Sequence, residues 1–340
     1  RVVSPGGIEA WLVEDHLNPI ISLHLAFRGG SALDPEGKEG LANMVSTLLD
    51  EGAGDLDSKA FQQTLEDKSI TLRFSAARDS FGARVQVLIE YRDLAFDLLR
   101  QAMTEPRFDA EPVSRLRAQL LANLRHESQD ADAIAGKTLM KTLYPDHPYG
   151  RPTGGTLESV AAIQVADMRA FVKERLARDT LSIGVVGDIT AKELAPLLDK
   201  TFGALPAKAA PWKVAEVAPK VSGRTIVIEK PLKQSNILFA DRGLMRKDPD
   251  FYTAYVMNHI LGGGGFTSRL YTEVREKRGL AYSVYTYLHP MDRSAIYAGG
   301  AGTANARVAE TLKVVRDEWA KLAKDGVTEA ELTAAKQYLT

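Results

Sequence analysis

Short runs in which hydrophobic and polar residues alternate predict β-strands in the first part of the chain. Residues 8–14 and 20–28 alternate in this way around a turn-forming Asp-His-Leu-Asn-Pro stretch, and we expect them to pair as a hairpin. Residues 70–76 and 83–90 predict a second antiparallel pair. Residues 181–188 form a short apolar run that is typical of a buried strand.

Segments in which hydrophobic residues recur every three to four positions predict helices between these strands. They cover residues 41–49, 94–103, 113–127, 131–143 and 191–202. Because strands and helices mix without strict alternation, we predict an α+β fold, with helices packed on one face of a mainly antiparallel sheet.

The hydrophobic pattern lapses between residues 206 and 224, where prolines, small residues and lysines accumulate. This composition is typical of a linker between domains. We therefore divide the chain into a first domain at residues 1–205, a linker at 206–224 and a second domain at 225–340.

Short motifs of the first domain return in the second at a nearly constant offset. Asp34-Pro35 returns as Asp248-Pro249, and Met44 with Leu48 returns as Met257 with Leu261. Motifs that recur in the same order indicate two homologous domains. The second copy has no counterpart of residues 121–205, so we expect the second domain to be truncated.

Composition and charge exclude several classes of protein. Hydrophobic residues at 45% and charged residues at 26% are average values for soluble globular domains. A net charge of -1 provides no general attraction to nucleic acid, and no segment approaches the roughly 18 consecutive apolar residues of a membrane span. The absence of cysteine excludes disulfides and thiolate metal sites.

Three small polar residues share one face of the helix predicted at residues 41–49. Asn43, Ser46 and Thr47 are spaced i, i+3, i+4 in an otherwise apolar segment. Such a stripe is compatible with a functional site. Short polar side chains also form hydrogen bonds with the nearby backbone of their own helix, and the spacing alone favours this structural interpretation.

The sequence around this helix resembles the pitrilysin/insulinase-type zinc metallopeptidases, the inverzincins. The resemblance is carried by Phe27-Arg28-Gly29-Gly30 at the end of a strand, then Asp34-Pro35, then Gly40-Leu41-Ala42. It implies two homologous α+β domains joined by a linker, and pairs of such subunits that close around a peptide substrate.

Members of this family carry H-x-x-E-H at this place, where two imidazoles bind zinc and the glutamate activates the metal-bound water. Here Asn43 and Thr47 stand at the histidine positions, and Ser46 stands at the glutamate position. Asn123 stands at the position of a third ligand, a glutamate on a later helix. Because zinc prefers imidazole, thiolate and carboxylate ligands, we expect no metal and no catalytic residue on this chain. No two of the six histidines lie within five residues of each other, and His147, in a turn-rich stretch, is expected to be structural.

A glycine-rich loop precedes a further predicted helix in the second domain. It consists of Gly262, Gly263, Gly264 and Gly265, and the helix runs to about Arg278 and ends at Gly279. A glycine-rich helix start can bind phosphate, but this one lacks the Gly-Lys-Ser/Thr ending and the G-x-G-x-x-G spacing. A flexible or closely packed loop is the structural alternative.

The residues after these glycines resemble the C-terminal domain of the same peptidases. Ser268-Arg269-Leu270 and the block from Val274 to Val284 carry this resemblance. In the family, an arginine and a tyrosine seven positions later face the zinc across the chamber and hold the substrate backbone. Arg275 and Tyr282 match these two positions. A guanidinium offers five N–H donors, and a phenol donates to a carbonyl oxygen or a developing oxyanion.

The combined pattern predicts a non-catalytic, substrate-gripping subunit of a heterodimeric zinc metallopeptidase, inactive on its own. The resemblance implies a homologous partner that supplies H-x-x-E-H and zinc, with a peptide substrate in a shared chamber. Two alternatives stay open, a structural or assembly subunit without proteolytic role and a stand-alone peptide binder that takes up extended segments at a sheet edge.

We expect a periplasmic location, with a cytoplasmic one as the alternative. Small paired peptidases of this family are often exported. The first residue is Arg1 rather than methionine, which is compatible with a removed export signal.

Overall fold

The computed structural model describes the whole chain, residues 1–340, as two compact units. The first unit comprises Arg1–His126 and Arg151–Lys213, and the second comprises Glu127–Gly150 and Val214–Thr340. A segment from the first half of the sequence therefore belongs to the second unit, and nothing in the residue pattern indicates this. The domain limits inferred from the sequence, residues 1–205 and 225–340, describe two homologous domains and not two compact units. They therefore stay a prediction.

A six-stranded mixed sheet forms the centre of the first unit. Its strands are β1 Val2–Val3, β2 Glu9–Glu14, β3 Ile20–Arg28, β4 Thr71–Ala76, β5 Ser80–Leu88 and β6 Leu181–Gly187. The strand order is β1-β2-β6-β3-β5-β4. All neighbouring strands are antiparallel except β2 and β6, which run parallel.

The hairpin predicted between β2 and β3 is wrong, because β6 lies between them. β6 pairs with β2 through Trp11 and Gly184, and with β3 through Leu25 and Ile183. Alternation along a strand identifies the strand and its buried face but not its partner, which here comes from much later in the chain. The predicted pairing of β4 with β5 is confirmed.

The core of the first unit lies on one face of this sheet. On β3 and β5, buried residues face each other in register, as in the cross-strand pairs Leu23 with Val85 and Phe27 with Phe81. Helices pack against this face, whereas Trp11 on the opposite face is exposed. The sheet therefore has one covered face, as the sequence predicts.

The first part of the chain contains eight helices, of which five lie at the predicted positions and three are not predicted by the residue pattern. In chain order they are α1 Leu41–Ser46, α2 Ser58–Asp67, α3 Arg92–Thr104, α4 Ala110–Glu127, α5 Ala131–Leu143, α6 Leu157–Ala162, α7 Val165–Arg175 and α8 Ala191–Phe202. Of these, α2, α6 and α7 are the three that are not predicted, and α5 lies in the second unit. No helix in the structure is both long and apolar enough to cross a membrane.

A three-stranded antiparallel sheet forms the centre of the second unit, in the order β7-β9-β8. Its elements are β7 Gln234–Arg242, α9 Phe251–Asn258, β8 Ala281–Pro290, β9 Ala295–Ala304, α10 Val308–Asp325 and α11 Glu329–Leu339. Its core includes Leu261, Val274, Tyr297 and Val315, and α5 packs against β7. No helix or strand occurs between Phe202 and Gln234.

Candidate functional site

The hydroxyl groups of Ser46 and Thr47 form hydrogen bonds with the backbone of α1. Ser46 Oγ donates to the carbonyl oxygen of Asn43 at 2.8 Å, and Thr47 Oγ1 donates to that of Met44 at 2.9 Å. Ser46 is buried, whereas Asn43 and Thr47 are half-buried. Both hydroxyl groups therefore already have an acceptor in the local backbone.

Asp34 and Gly40 fix the start of α1. The Asp34 carboxylate accepts the backbone N–H of Gly40 at 2.9 Å and that of Ala42 at 3.0 Å. Gly40 has a φ of 92°, and a side chain there would also meet the carbonyl group of Gly154. Burial raises the pKa of Asp34 to about 7, against the opposing influence of these N–H donors. The residues that carry the family resemblance around α1 thus have a structural role in starting this helix.

Two carboxylates follow α1 directly, and each has a cationic partner. Glu51 Oε2 accepts from Arg115 of α4 at 2.6 Å, and Asp50 Oδ2 accepts from Arg73 at 3.4 Å. Burial raises the pKa of Asp50 to about 6. Asn123, on the same helix as Arg115, has an exposed side chain. No group of three or more His, Cys, Asp or Glu residues that could hold a metal ion is present, and the neutral side chains of α1 are not the ligands that zinc prefers.

Arg275 contacts two tyrosine rings in the second unit. Its guanidinium carbon is 4.6 Å from the ring centroid of Tyr282 and 4.9 Å from that of Tyr271. The structure therefore brings together Arg275 and Tyr282, the two residues that the sequence singles out, and adds Tyr271. The i, i+4 spacing of Tyr271 and Arg275 is the sequence signal that could have identified this third residue.

The helix that carries Arg275 is wider than an α-helix. Tyr271–Glu276 is π-helical, and the N–H of Lys277 donates to the carbonyl oxygen of Thr272 at 2.9 Å. The π-helical segment ends at Glu276, and Gly279, the glycine predicted to stop the helix, follows three residues later with a φ of 56°. A second π-helical segment, His259–Gly263, contains the first glycines of the glycine-rich loop. Because π-helical turns are rare and occur frequently at functional sites, this geometry supports a functional interpretation of the segment.

The other basic side chains near Arg275 are ion-paired. Arg269 forms a bidentate pair with a glutamate of α11, at 2.6 and 2.7 Å. Lys277 and Arg278 share Glu273, each at 2.6 Å. The Arg275 side chain has ring contacts but forms no hydrogen bond or ion pair in the structure. Its N–H donors are therefore available to a ligand.

Three of the four glycines in the glycine-rich loop are required by close packing. A Cβ atom on Gly262 would lie 2.5 Å from Thr286 Oγ1, and one on Gly263 would lie 2.3 Å from Asn258 Nδ2. A Cβ atom on Gly264 would lie 2.5 Å from a backbone carbonyl oxygen. Distances this short favour the closely packed alternative over a flexible loop.

Gly262→Ala is expected to lower the free energy of unfolding by about 1–3 kcal/mol, the usual cost of overpacking. The added methyl group displaces Thr286, whose hydroxyl donates to Asn258 Oδ1 at 2.8 Å and accepts from Tyr297 at 3.1 Å in a buried network. Chemical denaturation measures the loss. Gly265→Asn is the control, because Gly265 has open space and a φ of 56° that asparagine tolerates. Equal stability of the two variants would contradict the packing role.

Family comparisons cover both halves of the chain. The family model described as "Insulinase (Peptidase family M16)" matches residues 10–157, and the model described as "Peptidase M16 inactive domain" matches residues 162–339. The chain belongs to the peptidase M16 family. The predicted resemblance to insulinase-type peptidases and the predicted α+β fold with two domains are both confirmed for this M16 protein.

Relatives of this M16 protein carry names that differ in the activity they state. A Helicobacter pylori protein named "Non-peptidase homolog YmxG" is 30% identical over 333 residues, which is 96% of this chain and 75% of the relative. A Mycobacterium leprae protein named "Uncharacterized zinc protease ML0855" is 27% identical over 344 residues, 99% of this chain and 76% of the relative. A crystal structure of a peptidase M16 inactive domain from Pseudomonas fluorescens is 33% identical, with a TM-score of 0.93, over 99% of this chain and 82% of that chain.

Proposed function

We propose that this M16 protein is the non-catalytic, substrate-binding subunit of a heterodimeric zinc peptidase. The partner is a homologous chain that carries H-x-x-E-H and zinc, and the substrate is a peptide held in a chamber that the two chains share. The single observation that carries the proposal is the contrast between the two motif sites. The hydroxyls at the zinc-site positions are bound to their own helix, while Arg275 is oriented by two rings and keeps its donors free.

The side chains at the zinc-site positions and those at Arg275 and Tyr282 differ in the chemistry that they can supply. Asn43, Ser46 and Thr47 offer no imidazole or carboxylate to a metal. Arg275 offers preorganised donors to a peptide carbonyl, and to the oxyanion that forms when water attacks it. Tyr282 is 78% exposed, so its hydroxyl group is also accessible to a substrate. Binding and orientation of the peptide are therefore the roles that this chain can supply.

The proposal predicts that peptide hydrolysis requires both chains. The partner is isolated by its co-purification with this chain, and we expect about one zinc ion per heterodimer. Each chain alone should be inactive, and the mixture active. Arg275→Ala in the mixture should lower kcat/KM about 100-fold, the effect typical of removing one preorganised donor. Full activity of the partner alone would overturn the proposal.

A matched control separates the role of Arg275 from a general effect of charge. The guanidinium carbon of Arg246 lies 4.5 Å from the ring centroid of Phe251 and 5.1 Å from that of Tyr252, so it is also in contact with two rings of the second unit. We expect Arg246→Ala to leave kcat/KM within about twofold, since Arg246 is not one of the residues assigned to the bound peptide and its loss removes no transition-state interaction. An equal loss in both variants would show that net charge, and not the Arg275 site, supports hydrolysis.

The second candidate function is that of a structural or assembly subunit without a proteolytic role. The name of the Helicobacter pylori relative, a non-peptidase homolog, favours this alternative. It predicts that Arg275→Ala and Tyr282→Phe leave every activity of the complex unchanged. A stand-alone peptide binder, in contrast, would bind peptides with full affinity in the absence of any partner.

A further inference from the structure

The side chain of Arg275 has an unusual combination of contacts for a surface arginine. It lies over two tyrosine rings, and it has no carboxylate partner although its basic neighbours are all paired. Glu273, the acidic residue nearest in sequence on the N-terminal side, is already bound by Lys277 and Arg278. The protein therefore leaves one oriented guanidinium without the anion that such a group normally binds.

Tyr271 is itself held in place by a second aromatic ring. Phe266 packs against it in an edge-to-face arrangement, with ring centroids 5.0 Å apart. The π-helical turn fixes the backbone of Tyr271 and Arg275 together. Tyr271 thus restricts the guanidinium before any ligand arrives, which reduces the entropy lost on binding.

Exposed ring surface lies beside this guanidinium on Tyr282 and, one ring further away, on Phe266, which packs against Tyr271. Phe266 is 72% exposed and Tyr282 is 78% exposed, and neither is part of the hydrophobic core of the second unit. A ligand that reaches Arg275 therefore also meets apolar ring surface. The site therefore contains two accessible rings, those of Phe266 and Tyr282, and the guanidinium of Arg275. The planar edge of a guanidinium matches the two oxygens of a carboxylate.

We propose that Tyr271, Arg275, Tyr282 and Phe266 form a carboxylate-binding site, specific for a peptide carboxylate next to a large apolar side chain. Arg275 binds the carboxylate through one edge of its guanidinium and keeps its remaining N–H donors for the peptide carbonyl. Tyr271 acts as a positioning residue for Arg275, and the exposed rings of Phe266 and Tyr282 contact the apolar side chain. The carboxylate is either the C-terminus of the peptide or an acidic side chain. The inference rests on the proposed function, because it names the class of peptide that the substrate-binding subunit selects.

The test measures the affinity of the full chain for four matched fluorescent peptides. They share one sequence with a leucine beside the variable group, and they end in a free carboxylate or an amide. Among the amides, one has a glutamate, one a glutamine and one neither. We expect the carboxylate peptides to bind about five- to tenfold more tightly than the amide peptides that lack a carboxylate. The free-acid and glutamate peptides show which carboxylate the site prefers. Equal affinity across the set would overturn the inference.

Three variants assign the preference to these residues. Arg275→Gln should abolish the preference for a carboxylate, and Tyr271→Leu should reduce it two- to fivefold, the range expected for loss of one exposed cation–π contact. Tyr271→Phe keeps the ring and should retain most of the carboxylate preference that Tyr271→Leu loses. This difference would assign the effect to the ring that lies against Arg275, and not to the tyrosine hydroxyl group or to a general change in the helix. Arg246→Gln is the control for charge, and the same loss there would overturn the assignment.

Failure of this inference and failure of the proposed function give different results. If all four peptides bind equally while Arg275→Ala still lowers hydrolysis by the heterodimer, the carboxylate preference is wrong and the proposed function stands. If carboxylate peptides bind preferentially while the partner alone is fully active, the binding site stands and the proposed function is wrong. Absence of binding by all four peptides overturns the carboxylate site.

Discussion

Replacing Tyr149 by alanine is expected to lower the free energy of unfolding of the second unit by about 3–5 kcal/mol, the usual cost of truncating a buried aromatic residue. Tyr149 is fully buried, and its ring packs edge-to-face against Tyr144 at 5.8 Å and His147 at 4.7 Å between centroids. Its hydroxyl group accepts the backbone N–H of Arg293 at 3.0 Å. Truncation leaves a cavity and removes the acceptor of this N–H group.

The expected loss of stability is confined to two segments that are distant in sequence and in contact in the structure. Tyr144 is hydrogen-bonded to Ser294 at 2.8 Å, so two tyrosines of the segment Glu127–Gly150 bind the turn between β8 and β9. Hydrogen exchange measured by mass spectrometry should therefore increase in that segment and in this turn. Tyr149→Phe is the matched control and should cost about 1 kcal/mol, since it removes only the hydrogen bond. A loss for Tyr149→Ala no greater than that of the control would contradict the packing role.

The role of this segment shows where prediction from sequence reaches its limit. The pattern correctly places α5 at residues 131–143, and it predicts a structural role for His147. His147 Nε2 lies 3.0 Å from the carbonyl oxygen of Ala215, which fits that role. However, periodicity describes only which face of an element is apolar, and not which core receives it. The assignment of the segment to the second unit depends on contacts separated by about 150 residues, as between Tyr144 and Ser294.

The same physical reason explains the error in the first sheet. The strands β2 and β3 are correctly located, yet their close spacing along the chain favours a hairpin that does not form. Pairing is decided by β6, which satisfies the backbone of both strands at once. Local sequence therefore predicts elements well and predicts non-local pairing poorly.

The candidate site of the second unit shows a comparable division. The resemblance to the family's C-terminal domain identifies Arg275 and Tyr282, and the structure places the guanidinium over the phenol ring. The width of the π-helical turn depends on three-dimensional packing, so the residue pattern does not reveal it, whereas the spacing of Tyr271 and Arg275 does indicate their contact. The motif names the donors, and the fold determines which of them stay unpaired and accessible.

Arg269→Leu is expected to lower the free energy of unfolding at neutral pH by about 1.5–3 kcal/mol, the usual range for hydrogen bonds to charged groups, because the ion pair is partly buried. Arg269 binds Glu331 through two hydrogen bonds, at 2.6 and 2.7 Å, and also donates to the carbonyl oxygen of Gly326 at 3.0 Å. It thereby connects the segment that leads to Arg275 with the junction of α10 and α11. Loss of this connection should also weaken peptide binding at Arg275.

The effect of Arg269→Leu should depend on pH in a defined direction. The hydrogen bonds from Arg269 lower the pKa of Glu331 to about 2, below its ordinary value of 4.5. A carboxyl group with a lowered pKa in the folded state stabilises the protein above pH 4.5, and this contribution is lost as the pH falls through 2. The stability difference between the wild type and Arg269→Leu should therefore be largest near neutral pH and shrink between pH 4.5 and 2. Chemical denaturation across this range measures it, with Lys313→Leu as the control, since its ion pair with Asp317 is solvent-exposed. A difference that stays constant with pH would show that Arg269 contributes by packing and not through Glu331.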